Sequence, residues 1–290
     1  MRILVLGASG MLGSQIIKRF NLEPFLHVYG CMRNLDLFNF FPKSCRFNLI
    51  KCGDLSKTES IFSILDLALP DVVINCAGLT KHKEFADNPK VILPINATMP
   101  HQFAAACDDR RIRFIHISSD CVFSGHKGGY VEDDIPDALD LYGKSKMMGE
   151  VVNGNALTLR TSMIGHELHS SFGLLEWFLN QNIQCSGFSK VIFSGLPTVV
   201  IAEIILEYVL PNPNLKGLYH VSADPINKYD LLKLIAGVYG KNIQINKNCD
   251  SKIDRSLNYQ KFKSTTGYTP ADWLTLIRAM HENKKFTYNV

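Results

Sequence analysis

An apolar run closing on a glycine-rich turn at the start of the sequence constrains the fold more than any other feature. Arg2-Ile3-Leu4-Val5-Leu6 leads into Gly7-Ala8-Ser9-Gly10-Met11-Leu12-Gly13, and helical spacing of apolar residues takes over across 11–20. A short, continuous Val/Ile/Leu run reads as a parallel strand buried on both faces. Gly7 can adopt the dihedrals of a tight strand-to-helix turn that other residues resist. Gly10 lets backbone approach a pyrophosphate, and Gly13 lets the helix pack closely on the strand. The N–H groups at the helix start, helped by the helix dipole, then face the anion. A glycine triplet alone is equally a structural turn; strand, turn and helix in this order are the setting in which it binds a dinucleotide. Ser9, Gly10, Met11, Leu12 and Gly13 are therefore cofactor-binding candidates together with Gly7.

The same alternation continues. Strands are expected at 2–7, 25–32, 46–52, 71–78, 111–119 and 156–162. Helices are expected at 11–20, 58–69, 86–109 (bent at Pro94 or Pro100) and 142–152. With right-handed crossovers this is an α/β fold with a doubly wound parallel Rossmann sheet. Beyond residue 165 the pattern loosens, with helical spacing near 172–181, 198–209, 228–239 and 271–281 and short strands at 190–194 and 217–222. The division expected is a Rossmann domain over 1–165 and a smaller C-terminal α/β substrate lobe over 166–290, some of whose segments return to the sheet. A chain of 290 residues, 46% hydrophobic, can bury such a core.

Open α/β sheets bind ligands at the carboxyl ends of their strands. Asn75-Cys76-Ala77-Gly78 falls at the end of the fourth strand, which makes Cys76, Ala77 and Gly78 cofactor-binding candidates. Ser118-Ser119-Asp120 ends the fifth. Tyr142 and Lys146 follow on a helix, four residues apart and so on one face. A hydride delivered to a ketone leaves an alkoxide that needs a proton. A tyrosine hydroxyl can supply it, and a neighbouring ammonium would lower its ordinary value of about 10. Ser119 would orient the carbonyl, Tyr142 would be the acid, and Lys146 would hold both the phenol and the nicotinamide ribose. At the adenosine end, no carboxylate occurs between Glu23 and Asp36 to bind a ribose 2′-hydroxyl, whereas Arg33 stands ready for a 2′-phosphate. NADPH is thus preferred over NADH, which stays open. Asp54, with Leu55, either meets the adenine amino group or is an ordinary acid near Ser56 at a helix start.

Taken together, GASGMLG, NCAG, SSD and YGKSK over residues 7–146 resemble the short-chain dehydrogenase/reductase superfamily in its extended, sugar-nucleotide-modifying branch. Ile117-Ser118-Ser119-Asp120-Cys121-Val122-Phe123-Ser124-Gly125, followed by EDDIPDALDLYGKSKMMGE, is similar to the dTDP-4-dehydrorhamnose reductase family. The resemblance implies NAD(P)H-dependent reduction of a 4-keto-6-deoxy sugar nucleotide, with Ser119, Tyr142 and Lys146 as the reacting set. It also implies that Asn96 supports Lys146 through the active-site backbone. The 4,6-dehydratases of the branch need an Asp-Glu pair after the serine; here Asp120 is followed by Cys121, which argues against dehydration. An NAD-dependent epimerase and a non-catalytic, NADP-binding regulatory subunit remain as alternatives. Cys121 stands where the reductases commonly carry an aromatic residue, and Gly78 where they often carry alanine. Leu159-Arg160-Thr161-Ser162 and Gly195-Leu196-Pro197-Thr198 look like the family's substrate-side segments.

Other features read blandly. The charge of +4 is scattered, so no nucleic-acid track is expected. No run of eighteen apolar residues suggests a membrane span, and no signal-peptide pattern opens the sequence. Eight cysteines without a C-x-x-C pair fit buried thiols in a reducing, cytoplasmic setting. A homodimer is an open arrangement. His166 and His169 are three apart where a zinc motif needs four and read as a loop of ordinary polar residues, and His82, His116 and His126 lack ligand clusters, so no metal is expected. Glu132-Asp133-Asp134 reads as a solvated loop, and Trp177 and Trp273 as core.

Overall fold

The computed structural model describes residues 1–80, 87–168 and 171–288, so His82 and His169 lie outside the described residues. Seven parallel strands form the central sheet: β1 (Arg2–Leu6), β2 (His27–Met32), β3 (Leu49–Lys51), β4 (Val72–Asn75), β5 (Arg113–Ser119), β6 (Ala156–Thr161) and, after a short β7 (Met163–Ile164) and three strands of the small lobe, β11 (Gly217–His220). Their order is β11-β6-β5-β4-β1-β2-β3. The chain winds outward in one direction from β1 to β3 and in the other from β4 to β6. The reversal between β1 and β4 is where such sheets open a crevice.

Alternate residues of each strand feed two separate cores, as the period of two demands. Ile3 and Val5 of β1 join α1 (Met11–Phe20) on one face. Leu4 and Leu6 join α3 (Thr58–Ala68), which follows the short α2 (Lys43–Arg46), on the other. β4 ends at Asn75 rather than 78, because the Asn75 side chain accepts the Ala77 N–H at 3.0 Å and turns the chain. β5 runs three residues past His116, its last residue paired to β4 (with Asn75), and Ser119 is still paired to Thr161 of β6. That overhang carries Ser119 into the crevice.

The expected helix over 86–109 is present as α4 (Pro89–Leu93), a π-helical turn over Pro94–Thr98 and α5 (Met99–Asp109); Ala86 lies outside the described residues. Pro94 and Pro100 both lack the N–H that a regular helix needs, and the wide turn between them absorbs the defect. α6 (Leu141–Met148) starts on the Asp140 side chain, which accepts the Gly143 N–H at 2.6 Å. It stops at Gly149, where any Cβ would run into the Asn96 carbonyl.

The small lobe is built around α7 (Leu174–Leu179), α9 (Lys228–Tyr239) and α11 (Trp273–Tyr288), which share one apolar cluster. β8 (Gln184–Phe188) pairs in parallel with β13 (Gln244–Asn248). β9 (Val191–Phe193) lies between β12 (Ile226–Asn227) and β14 (Ile253–Asp254), and β10 (Leu196–Pro197) pairs with β7. α8 (Thr198–Ile204) packs on α1, and α10 (Gln260–Thr266) on β11, so parts of the C-terminal third belong to the large sheet's layers.

Three bland readings need correction. Glu132 is half-buried, not solvated, because its carboxylate accepts the His220 N–H at 2.8 Å. Trp177 is 39% exposed at the surface of α7 rather than core. His166 is buried between Glu176 (2.7 Å) and the Tyr239 hydroxyl (3.0 Å), not in a polar loop. No disulfide forms among the described residues, and no described helix is long and apolar enough to cross a membrane.

Candidate active site

A cleft of about 540 Å3 opens at the carboxyl ends of β1, β4, β5 and β6 and is roofed by the small lobe. Ser9, Gly10, Met11 and Leu12 line it from the first turn, and Cys76, Ala77 and Gly78 from the turn after β4. Ser119, Tyr142 and Lys146 line its floor.

Gly7 has φ +74°, and a Cβ there would lie 2.8 Å from the Ala77 backbone. At Gly13 a Cβ would strike the Gly7 carbonyl. These two glycines shape the turn without lining the cleft. Gly10 caps α1 with backbone alone, and no acidic residue sits in the first turn. The unbonded N–H groups that every helix start carries are thus left for an anion. The chemistry of this cradle fits a dinucleotide pyrophosphate.

Arg33, Asp54 and Leu55 lie outside the cleft lining. Arg33 is exposed just past β2. Asp54 accepts from the Ser56 N–H (3.0 Å) and hydroxyl (2.7 Å), and these bonds hold its carboxyl below the ordinary range. The Leu55 side chain packs in the core beneath α3.

The floor is wired through β5. The Ser119 hydroxyl accepts the Cys121 N–H at 3.1 Å and donates to Asp120 at 3.2 Å. The Lys146 ammonium, 6% exposed, donates to the Ile117 carbonyl at 2.9 Å. Burial pushes it down to about 8, against the pull of Glu150 and Cys76. Enclosure pushes the Tyr142 phenol above its ordinary value, with Cys121 adding and Ser119 opposing. The expected acidification by Lys146 is thus reversed here: desolvation dominates, and the ammonium is engaged with β5. Burial also pushes the Cys76 thiol up to about 12.

Asn96 accepts the Leu79 N–H at 2.8 Å and donates to the Leu79 carbonyl (2.9 Å) and the Ser145 hydroxyl (3.1 Å). It joins the turn after β4 to α6 through these groups rather than through Lys146 itself. Behind the floor, Glu150 takes two bonds of 2.7 Å from Arg160 and one of 2.7 Å from the Ser118 hydroxyl. Arg160 also meets His220 at 3.2 Å and lies 5.1 Å over the Phe123 ring.

The residue pattern missed Glu150, Lys228 and Arg255, whereas Ser162 belongs to the Leu159–Ser162 run read as a substrate-side segment and does line the cleft. Lys228 and Arg255 also line the cleft but come from segments with no local motif. Glu150 follows the YGKSK run as an ordinary-looking helix-end acid, and only its buried partner Arg160 reveals it.

The family profile described as the RmlD substrate binding domain matches residues 1–283. A probable low-salt glycan biosynthesis reductase of Haloferax volcanii is 36% identical over 169 residues, 57% of this chain and 54% of that protein, so the match spans about half of that relative. Methionine adenosyltransferase 2 subunit beta of Xenopus tropicalis is 29% identical over 259 residues, 82% of this chain and 72% of that protein. A dTDP-4-dehydrorhamnose reductase of Bacillus anthracis, crystallised with NADP, shares the fold at a TM-score of 0.80 and 20% identity, over 98% of this chain and 99% of that one. With a profile match across nearly its whole length, the chain belongs to the RmlD substrate binding domain family.

Proposed function

We propose that the protein is an NADPH-dependent ketoreductase of a 4-keto-6-deoxy sugar nucleotide of the dTDP-4-dehydrorhamnose type, working in the cytoplasm. The observation that carries this reading is the convergence of Ser119, Tyr142 and Lys146 in one cleft with the glycine turn. The first turn of α1 would hold the pyrophosphate, and Cys76, Ala77 and Gly78 would flank the nicotinamide end. Arg33 would meet the 2′-phosphate, a placement that a cofactor complex checks directly. The bound cofactor supplies hydride to the carbonyl carbon. The Ser119 hydroxyl holds the carbonyl oxygen, and the Tyr142 phenol gives it a proton. Lys146, fixed by the Ile117 carbonyl, places a positive charge beneath the reacting end.

The Tyr142 phenol is protonated at neutral pH, the form that a proton donor to the carbonyl oxygen needs.

The test is NADPH consumption with dTDP-linked 4-keto-6-deoxy sugars. Saturable oxidation matched one-for-one by reduced sugar is the expected result. Turnover of the sugar with no net NADPH consumption would establish the epimerase instead. The likeness to methionine adenosyltransferase 2 subunit beta favours one other reading, a cofactor-binding partner without catalysis. The intact Ser119, Tyr142 and Lys146 weigh against it.

A further inference from the structure

Arg255 reaches the cleft from the segment after β14, and that segment is laced to the loop after β5. The Asp254 N–H donates to the Gly125 carbonyl, the Tyr130 N–H to Ser256 and the Asn258 N–H to Tyr130, each at 2.8 Å. The Gly129 N–H adds a bond to the Ser256 hydroxyl at 2.8 Å. Arg255 Nε donates to the Phe123 carbonyl at 2.8 Å, which fixes the plane of the guanidinium. Its two terminal nitrogens, with four N–H donors, find no acceptor among the described residues.

Asp120 lines the same cleft and accepts from the Ser119 hydroxyl at 3.2 Å. The charge of Arg255 acts on this carboxylate, yet the two do not close into an ion pair among the described residues. They line one cleft from two distant segments of the chain. Because Asp120 directly follows Ser119, the gap between carboxylate and guanidinium adjoins the carbon next to the carbonyl that Ser119 holds.

We propose that Asp120 and Arg255 form a clamp selecting substrates with a hydroxyl on the carbon beside the reacting carbonyl. A hydroxyl is the group that satisfies both partners, donating to the carboxylate and accepting from the guanidinium. A methylene satisfies neither, and a carboxylate would face Asp120 with like charge. The clamp is a specificity device of the reductase reading and rests on it. A site built to bond a substrate hydroxyl rejects the analogue lacking it far more strongly than an apolar pocket can, because the enclosed polar groups are left unpaired.

The test compares paired 4-keto-6-deoxy sugar nucleotides, 3-hydroxy and 3-deoxy, by kcat/KM in NADPH oxidation. The wild type should prefer the hydroxylated partner by about 10⁴-fold. Arg255→Gln should cut that ratio to about 100-fold or less, with NADPH binding followed by fluorescence to show that the variant is folded. Asp120→Asn, on a different segment, should do the same, and serves if Arg255→Gln does not fold. A wild-type ratio near one, or a ratio unchanged in the folded variants, overturns the clamp alone. No oxidation of any substrate by the wild type overturns the reductase reading and the clamp with it.

Discussion

Replacing Tyr142 by Phe should lower ketone reduction by roughly 10²- to 10⁴-fold, the usual contribution of a positioned general acid, while NADPH affinity stays within a few-fold. The substitution removes one oxygen and little else. The Tyr142 carbonyl still accepts the Ser145 hydroxyl at 2.7 Å, and Asp140 still caps α6, so the helix keeps its place. Ser119 keeps its bonds to the Cys121 N–H and Asp120. What disappears is the proton assigned to the carbonyl oxygen. Steady-state kinetics paired with cofactor titration separates the two effects. Retention of more than a tenth of the wild-type rate would refute the role assigned to the phenol.

Glu150→Ala carries the largest expected effect on stability. The Glu150 and Arg160 side chains are 8% and 3% exposed and meet in a two-pronged contact of 2.7 Å bonds. Removing one partner leaves a guanidinium desolvated beneath the sheet. Such a break costs about 3–5 kcal/mol, a large share of the roughly 5–15 kcal/mol that holds a domain folded. His220 offers no relief. Burial and the Arg160 charge push it down to about 3, so near neutral pH it remains an uncharged acceptor for Arg160. The Ser118 hydroxyl loses its acceptor too, directly beside Ser119. Urea unfolding should show the loss, and the double variant Glu150→Leu with Arg160→Met should recover most of it, since a buried pair can be replaced by apolar side chains at little cost. A loss under about 1 kcal/mol in the single variant would mean that the pair is no more than a surface contact in effect.

Much of the fold could be read in the residues because the pattern that reveals it is local. Ile3, Leu4, Val5 and Leu6 are all apolar since the sheet is covered on both faces, and the glycine turn must follow such a strand. The meeting of Ser119, Tyr142 and Lys146 in one cleft was legible for the same reason, since strand ends and a four-residue helix spacing set it. β8 and β13 escaped notice because each exposes polar residues along its length; Gln244-Ile245-Asn246-Lys247-Asn248 offers no apolar run. Arg255 and Lys228 were invisible because what brings them to the cleft is lobe packing between distant segments. Asp54 illustrates an ambiguity that local residues leave open, and here its carboxylate is engaged by Ser56. The sign of the Tyr142 shift was missed because the charge of Lys146 was weighed without the desolvation of the phenol, which is the stronger influence.

A crystal structure of the protein with NADPH bound tests the central claim most directly. It should show the pyrophosphate on the backbone of residues 10–12, the 2′-phosphate beside Arg33, and the nicotinamide ring in the cleft facing the Tyr142 hydroxyl. A dinucleotide held elsewhere, or a ring lying outside the space between Ser119 and Tyr142, would contradict the account.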